Sequence, residues 1–198
     1  MRTDYITPEL MYRLLGDMTE QNRLVLRFCL ETGLRVSDVV EMPYKALQGT
    51  TVHYIAKKTG KEGTTHISSE LFNDLLRCTD GKWLFPSHIS KTGHLTRQSV
   101  WKALKRASKN ADIARNVAPH SARKIFAVQD MRKNGFAEAQ KHLQHSRFDT
   151  TLLYCLSDTS FLDNADKMNK RIDGLYEALA VIEQKLQKLC EHLCMSES

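Results

Sequence analysis

One segment of this chain has the residue pattern of β-strands, while helical spacing precedes and follows it, and this contrast restricts the fold. Residues 51–55 read Thr-Val-His-Tyr-Ile and residues 64–67 read Thr-Thr-His-Ile, and a basic segment with two glycines, 57–63, separates them. Runs rich in β-branched and aromatic residues on either side of a turn predict a β-hairpin, with room for a third strand. The other periodic segments have helical spacing. The sequence therefore predicts a mainly α fold with one small β-sheet, in the α+β class.

Helical patterns flank the hairpin on both sides. Thr7, Pro8 and Glu9 are the residue types of a helix start, because threonine caps, proline suits the first position and an acid suits the first turn. Residues 83–86, Trp-Leu-Phe-Pro, indicate a buried anchor in a connecting loop. The predicted helices cover residues 8–15, 21–31, 37–40, 69–76, 96–110, 121–133 and 137–143.

The end of the chain has a heptad repeat of apolar residues. From Met168 to Leu193, apolar residues recur at alternating intervals of four and three, which predicts a coiled-coil helix. Two arrangements would cover the apolar face of this helix. The chain self-associates as a dimer or tetramer, or the helix packs onto the chain's own domain. We expect one domain over 1–160 and a C-terminal oligomerisation helix over 161–198. The expected contact residues are Ile172, Leu175, Leu179, Ile182, Leu186, Leu189 and Leu193.

Positive charge is concentrated in the middle of the chain. The net charge is +6, and residues 90–147 contain thirteen Lys and Arg against three acids. Such an excess favours a polyanionic partner, nucleic acid first, although a solvated basic face is the alternative. The predicted helix 96–110 places basic residues opposite Val100, Leu104 and Ala107. The residues expected to contact DNA are Arg97, Lys102, Lys105, Arg106 and Lys109.

The composition also argues against several classes of protein. The apolar runs are too short for a transmembrane helix, and the first residues lack a signal-peptide pattern, so we expect a soluble cytoplasmic protein. The five cysteines are scattered, which favours reduced thiols. Cys190, His192 and Cys194 make only a weak metal pattern, so we expect no metal site.

Four motifs occur in order along the chain. They are TGLRVSDVVEM at 32–42, KKTGKEG at 57–63, PHSAR at 119–123 and HLQHSRFDTTLLY at 142–154. Together they resemble the catalytic domain of the tyrosine recombinases, the phage integrase family, over about residues 5–160. Each motif alone is weak, but the ordered set is highly specific. The resemblance implies catalytic roles for Arg35, Lys58, His120, Arg123, His145 and Tyr154.

The resemblance also implies how these residues divide the chemistry. A tyrosine hydroxyl attacks a DNA phosphodiester, which forms a 3′-phosphotyrosine and releases a 5′-hydroxyl. Arg35 and Arg123 match the arginines that hold the non-bridging oxygens, which bidentate donors do well. Lys58 matches the lysine that protonates the leaving oxygen. No metal or other cofactor is needed.

The remaining roles fall to the histidines and the tyrosine. His120, which shares a helix face with Arg123, matches the assisting acid or base. His145 matches the residue that hydrogen-bonds the phosphate, and Tyr154 matches the nucleophile. Asp38 resembles an acid with a structural role. The expected function is site-specific recombination of double-stranded DNA, by integration, excision or inversion, in a bacterial or phage setting where accessory DNA-bending proteins are candidate partners.

The chain departs from the common family pattern at three points. Ala122 stands where leucine is usual, and Gln144 stands where glycine is usual before the second histidine. The resemblance also begins at the catalytic domain, so we expect a short form without the core-binding domain that most members carry. Two other functions stay open: a non-catalytic DNA-binding regulator derived from a recombinase, and a type IB topoisomerase.

Overall fold

The computed structural model describes residues 3–87, 89 and 92–143. Seven α-helices and three short strands lie in this part of the chain, together with one 3₁₀ turn at Tyr44–Ala46. The helices are α1 Pro8–Gly16, α2 Glu20–Thr32, α3 Val36–Val40, α4 Ser69–Cys78, α5 Arg97–Asn110, α6 Pro119–Asn134 and α7 Phe136–His142. The strands are β1 Leu47–Gln48, β2 Thr51–Ile55 and β3 Glu62–His66.

The ends of the helices follow from local sequence. The Thr7 side chain accepts a hydrogen bond from the Leu10 amide at 3.3 Å, which confirms the predicted cap of α1. Helix α6 begins at Pro119, two residues before the predicted start, because proline lacks only an N–H that the first turn does not use. Helix α2 ends at Gly33, which has φ of +67°.

The sheet is antiparallel, with the order β1-β2-β3. Its second hairpin strand begins at Glu62, not at Thr64 as predicted, since Tyr54 pairs with Gly63 and Ile55 with Glu62. The turn is therefore shorter, and the Ala56 amide closes it by donating to the Lys61 carbonyl at 2.9 Å. Gly63, which resembled a turn residue, belongs to a strand. The third strand is the two-residue β1.

Helix α2 lies at the centre of the core. Its residues Leu24, Leu26 and Phe28 are fully buried, and the helix packs against α3, α4, α5 and α6. The ring of Phe28 meets that of Phe85 edge to face, with centroids 6.1 Å apart. Phe85 and Leu84 are buried as the loop anchor predicted. This packing holds the turn between α2 and α3 against α6, which is where the candidate site lies.

The first described residues of the chain bind the start of α6. The Ser121 hydroxyl donates to the Asp4 carbonyl at 2.7 Å, and the Asn116 amide donates to the Asp4 carboxylate at 2.7 Å. The buried ammonium of Lys124 donates to the Thr3 carbonyl at 2.6 Å. We call residues 3–5 the N-terminal strap. It fixes the helix that carries His120 and Arg123.

None of the helices in the described ranges is long and apolar enough to cross a membrane. The predicted coiled coil, residues 161–198, lies outside the described residues.

Candidate active site

Three segments that are distant in sequence meet around one pocket of about 460 Å³. The turn between α2 and α3 contributes Arg35, the start of α6 contributes His120 and Arg123, and the start of α5 completes the wall. Three of the predicted catalytic residues therefore lie together. The described lining residues are Leu34, Arg35, Val36, Ser37, Arg97, Gln98, Trp101, Ala118, Pro119, His120 and Arg123.

Arg123 is the buried residue of this group, with 3% of its surface exposed. Its guanidinium donates one hydrogen bond to the Gly33 carbonyl and another, at 2.5 Å, to the Leu143 carbonyl. These bonds join the end of α2 to the residue that follows α7. Because a guanidinium is planar and rigid, two fixed acceptors also set the direction in which its other edge faces.

Arg35 stands at the N-cap of α3, with extended backbone angles. It is partly buried and lines the pocket beside Arg123. Its position depends on Gly33, because a Cβ at residue 33 would overlap the ring of Phe126 on α6. The close approach of this turn to α6 therefore brings the two arginines to one pocket.

His120 lies at the pocket edge on the first turn of α6. Partial desolvation of the imidazole, followed by the positive charges of Arg123, Lys124 and Arg35, lowers the pKa of His120 to about 4. The residue still exposes much of its surface. At neutral pH the imidazole is thus uncharged and can accept a proton. A bound phosphate would offset the positive charges and raise this pKa.

Helix N-termini add to the positive charge that the side chains give the pocket. Helices α5 and α6 both begin at its wall, so the partial positive charges of their N-termini add to those of the arginines. None of the described lining residues is acidic. An arrangement of this kind suits a phosphate group.

Lys58 lies at the tip of the hairpin, exposed and outside the described lining of the pocket. Its neighbour Lys57 is held to α3, since its ammonium pairs with Glu41 and its amide donates to the Asp38 carboxylate at 3.4 Å. Burial raises the pKa of Asp38, while nearby cations oppose the rise. Asp38 thus contacts the hairpin as a structural acid would.

The basic residues predicted on α5 occupy two environments. Lys102, Arg106, Lys109 and Arg97 are exposed. Lys105 is partly buried, and its ammonium donates to the Asn116 side chain at 2.6 Å. Arg97 also lines the pocket, whereas the other basic residues of α5 do not belong to its lining.

Trp101 is the pocket residue that the sequence analysis missed. It lies one turn after Arg97 on α5 and remains 46% exposed. The signal was present, because a tryptophan at position 101 does not belong to the buried set Val100, Ala103, Leu104 and Ala107. An exposed aromatic on a basic helix indicates a contact surface.

Two of the predicted catalytic residues, His145 and Tyr154, lie outside the described residues. Within the described ranges, no cluster of His, Cys, Asp and Glu side chains could hold a metal ion. Cys29 and Cys78 are both free thiols, and burial raises the pKa of Cys29 to about 12.

Comparison with known proteins gives a consistent result. The model of the phage integrase family matches residues 5–160. The chain is 33% identical over 134 residues to tyrosine recombinase XerD of Rhizobium meliloti, which covers 62% of this chain and 43% of that protein. It is 26% identical over 168 residues to the integrase of Escherichia phage P2, which covers 84% of this chain and 47% of that protein. The chain spans about half the length of these relatives.

Solved structures confirm the fold. The catalytic domain of bacteriophage HP1 integrase matches with a TM-score of 0.62 and 24% identity, covering 85% of this chain and 96% of that one. XerA recombinase matches with a TM-score of 0.69 and 19% identity, covering 85% and 66%. A lambda integrase dimer bound to a core site matches with a TM-score of 0.66 and 18% identity, covering 78% and 59%. The mainly helical fold with a small sheet, predicted above, is thereby confirmed.

Proposed function

Because the chain belongs to the phage integrase family, whose model matches residues 5–160, we propose that it is a tyrosine-type site-specific recombinase. It cleaves and rejoins double-stranded DNA through a covalent 3′-phosphotyrosine. The observation that carries this proposal is the meeting of Arg35, His120 and Arg123 in one electropositive pocket without a described acidic lining residue. Their order and spacing in the sequence match the family's motifs.

In the cleavage step, the pocket holds the scissile phosphate. Arg35 and Arg123 bind its non-bridging oxygens and stabilise the charge that grows there in the transition state. The Tyr154 hydroxyl attacks phosphorus while the bond to the 5′-oxygen breaks. The tyrosine gives up its proton, for which neutral His120 is the acceptor, and Lys58 protonates the leaving oxygen. His145 donates a hydrogen bond to the phosphate.

Rejoining reverses this step with a 5′-hydroxyl from another strand. That hydroxyl gives its proton to Lys58 as it attacks the phosphotyrosine, and the Tyr154 oxygen leaves with the proton that His120 returns. The energy of the broken phosphodiester stays in the covalent bond, so no nucleotide triphosphate is consumed.

Recombination needs more than one active site, and the C-terminal heptads offer a means of joining protomers. We propose self-association through residues 161–198, which raises the effective concentration of active sites at paired DNA sites. Solved relatives include a lambda integrase tetramer bound to a Holliday junction.

The exposed basic residues of α5 are proposed to contact the DNA backbone. They are Arg97, Lys102, Arg106 and Lys109. Lys105, partly buried, completes the proposed set. Accessory DNA-bending proteins and a site of action in the bacterial cytoplasm belong to the same proposal.

Covalent capture tests the function directly. The full chain is incubated with fragmented genomic DNA of the organism that encodes it, denatured and isolated, and the attached DNA is sequenced. We expect covalent DNA with wild type, none with Tyr154→Phe, and the wild-type amount with Tyr12→Phe, which alters an exposed tyrosine outside the pocket.

Other outcomes would favour the alternatives. Specific binding with no covalent DNA would indicate a regulator. Relaxation of supercoiled DNA without paired sites would indicate a topoisomerase. Capture with a chain that ends at residue 163 measures the contribution of the heptad helix.

A further inference from the structure

Trp101 exposes an aromatic surface where the fold gives no reason for one. The residue is 46% exposed on α5, and the helix buries Val100, Leu104 and Ala107 on its core face. An indole left in water forfeits part of the hydrophobic free energy that its burial would bring. The residue lines the same pocket as Arg35 and Arg123.

The neighbours of Trp101 hold its ring in place. The Lys105 ammonium lies 5.8 Å from the ring centroid, within the range of a cation–π contact. That ammonium is itself fixed by its hydrogen bond to Asn116 at 2.6 Å. Arg97 and Gln98, one turn earlier, line the pocket beside the indole. The ring is therefore supported from the protein side, and the residue lines the pocket while 46% of its surface is exposed.

This combination matches a nucleotide better than a simple anion. The arginines can donate hydrogen bonds to a phosphate, but the apolar face of an indole makes no favourable contact with one. A nucleotide next to the phosphate adds an apolar sugar and, in a duplex, a base edge in the groove, and an aromatic side chain can make apolar contacts with both. We infer that Trp101 contacts DNA by packing against the sugar and base edge of the nucleotide beside the scissile phosphate. The inference rests on the proposed function, and it makes Trp101 a residue that positions the substrate.

Fluorescence tests the contact, because the chain has only two tryptophans. The other, Trp83, is partly buried and packs on His94 with ring centroids 4.8 Å apart. A short labelled DNA duplex is titrated into the full chain, with binding followed by anisotropy of the label. We expect tryptophan emission to change on binding in wild type and in Trp83→Phe, and to stay constant in Trp101→Phe.

Duplex affinity and its salt dependence distinguish an aromatic contact from a charge contact. Trp101→Ala should weaken duplex binding about tenfold, as expected for a lost aromatic contact, with the salt dependence unchanged. Lys102→Ala should instead make the salt dependence shallower by about one counterion. Trp101→Phe should restore most of the affinity, because it retains an aromatic face. Tyr12→Ala, which removes another exposed aromatic from outside the pocket, should bind like wild type.

The outcomes distinguish this inference from the function on which it rests. If Trp101→Phe binds DNA and its emission still changes as in wild type, or if Trp101→Ala binds with wild-type affinity, the inference is wrong and the recombinase proposal stands. If the wild-type chain binds no duplex at all, both are wrong. Circular dichroism of each variant identifies any loss of folding.

Discussion

Gly33 is the residue on which the geometry of the pocket depends. It has φ of +67°, its carbonyl accepts a hydrogen bond from Arg123, and the Phe126 ring fills the space where a side chain would stand. Any other residue would strain the backbone and also push α6 away from the turn that carries Arg35. The stability of the fold and the geometry of the pocket therefore both depend on this one position.

Gly33→Ala should lower the free energy of unfolding for two separate reasons. The left-handed backbone costs about 1–2 kcal/mol for alanine, and the overlap with Phe126 adds about 1–3 kcal/mol. Gly49 provides the matched control, because it has φ of +58° and open space around it, so Gly49→Ala should lose only the backbone part. Urea unfolding of the full chains measures both. Equal losses in the two variants would mean that α6 moves aside without cost.

The hairpin places two adjacent lysines, Lys57 and Lys58, in different environments. Lys57 is tied to α3 through Glu41 and Asp38, so it acts as an anchor. Lys58 follows it at the tip, exposed, and has no ion pair among the contacts of the described residues. An anchored hairpin whose tip projects can present one ammonium to a substrate while its base stays fixed.

Lys58→Ala should slow cleavage by about 100-fold or more, the usual loss when a general acid is removed. A substrate with sulfur in place of the bridging 5′-oxygen should restore the rate, because a thiolate leaves without a proton. Lys57→Ala should show a smaller loss that the sulfur substrate repairs only in part. Single-turnover cleavage of the captured DNA site gives these rates. If the sulfur substrate rescues Lys57→Ala and leaves Lys58→Ala slow, the two roles are reversed.

At the scale of the whole molecule, three of the predicted site residues meet in one pocket, and their catalytic roles stay a prediction. Arg35, His120 and Arg123 were identified because their motifs are local and their order is specific, and the structure brings them to one pocket. The hairpin was predicted, but the start of β3 was not, since a glycine has no side chain to distinguish strand from turn. The sequence indicated that Trp101 lies off the buried face of α5, but its place in the pocket depends on how α5 packs.

The N-terminal strap could not be predicted, because backbone carbonyls that accept distant hydrogen bonds have no sequence signature. Deletion of residues 1–4 removes the Thr3 and Asp4 carbonyls that Lys124 and Ser121 use. We expect a loss of about 2 kcal/mol or more in the free energy of unfolding, because one of the lost hydrogen bonds is donated by the buried Lys124 ammonium. The full chain is the reference for this deletion. Thermal unfolding compares the two chains, and equal midpoints would contradict a supporting role for the strap.

The strap also has a consequence for how the chain folds. The bond between Thr3 and Lys124 joins residues 121 positions apart, so it closes nearly the longest loop in the described part of the chain. We expect contacts of such separation to form after the local helices and the hairpin, because closing a long loop costs entropy. We therefore expect the pocket to be among the last parts of the described chain to form. A chain still leaving the ribosome cannot complete the pocket until α6 has emerged and residues 3–5 have come into contact with it.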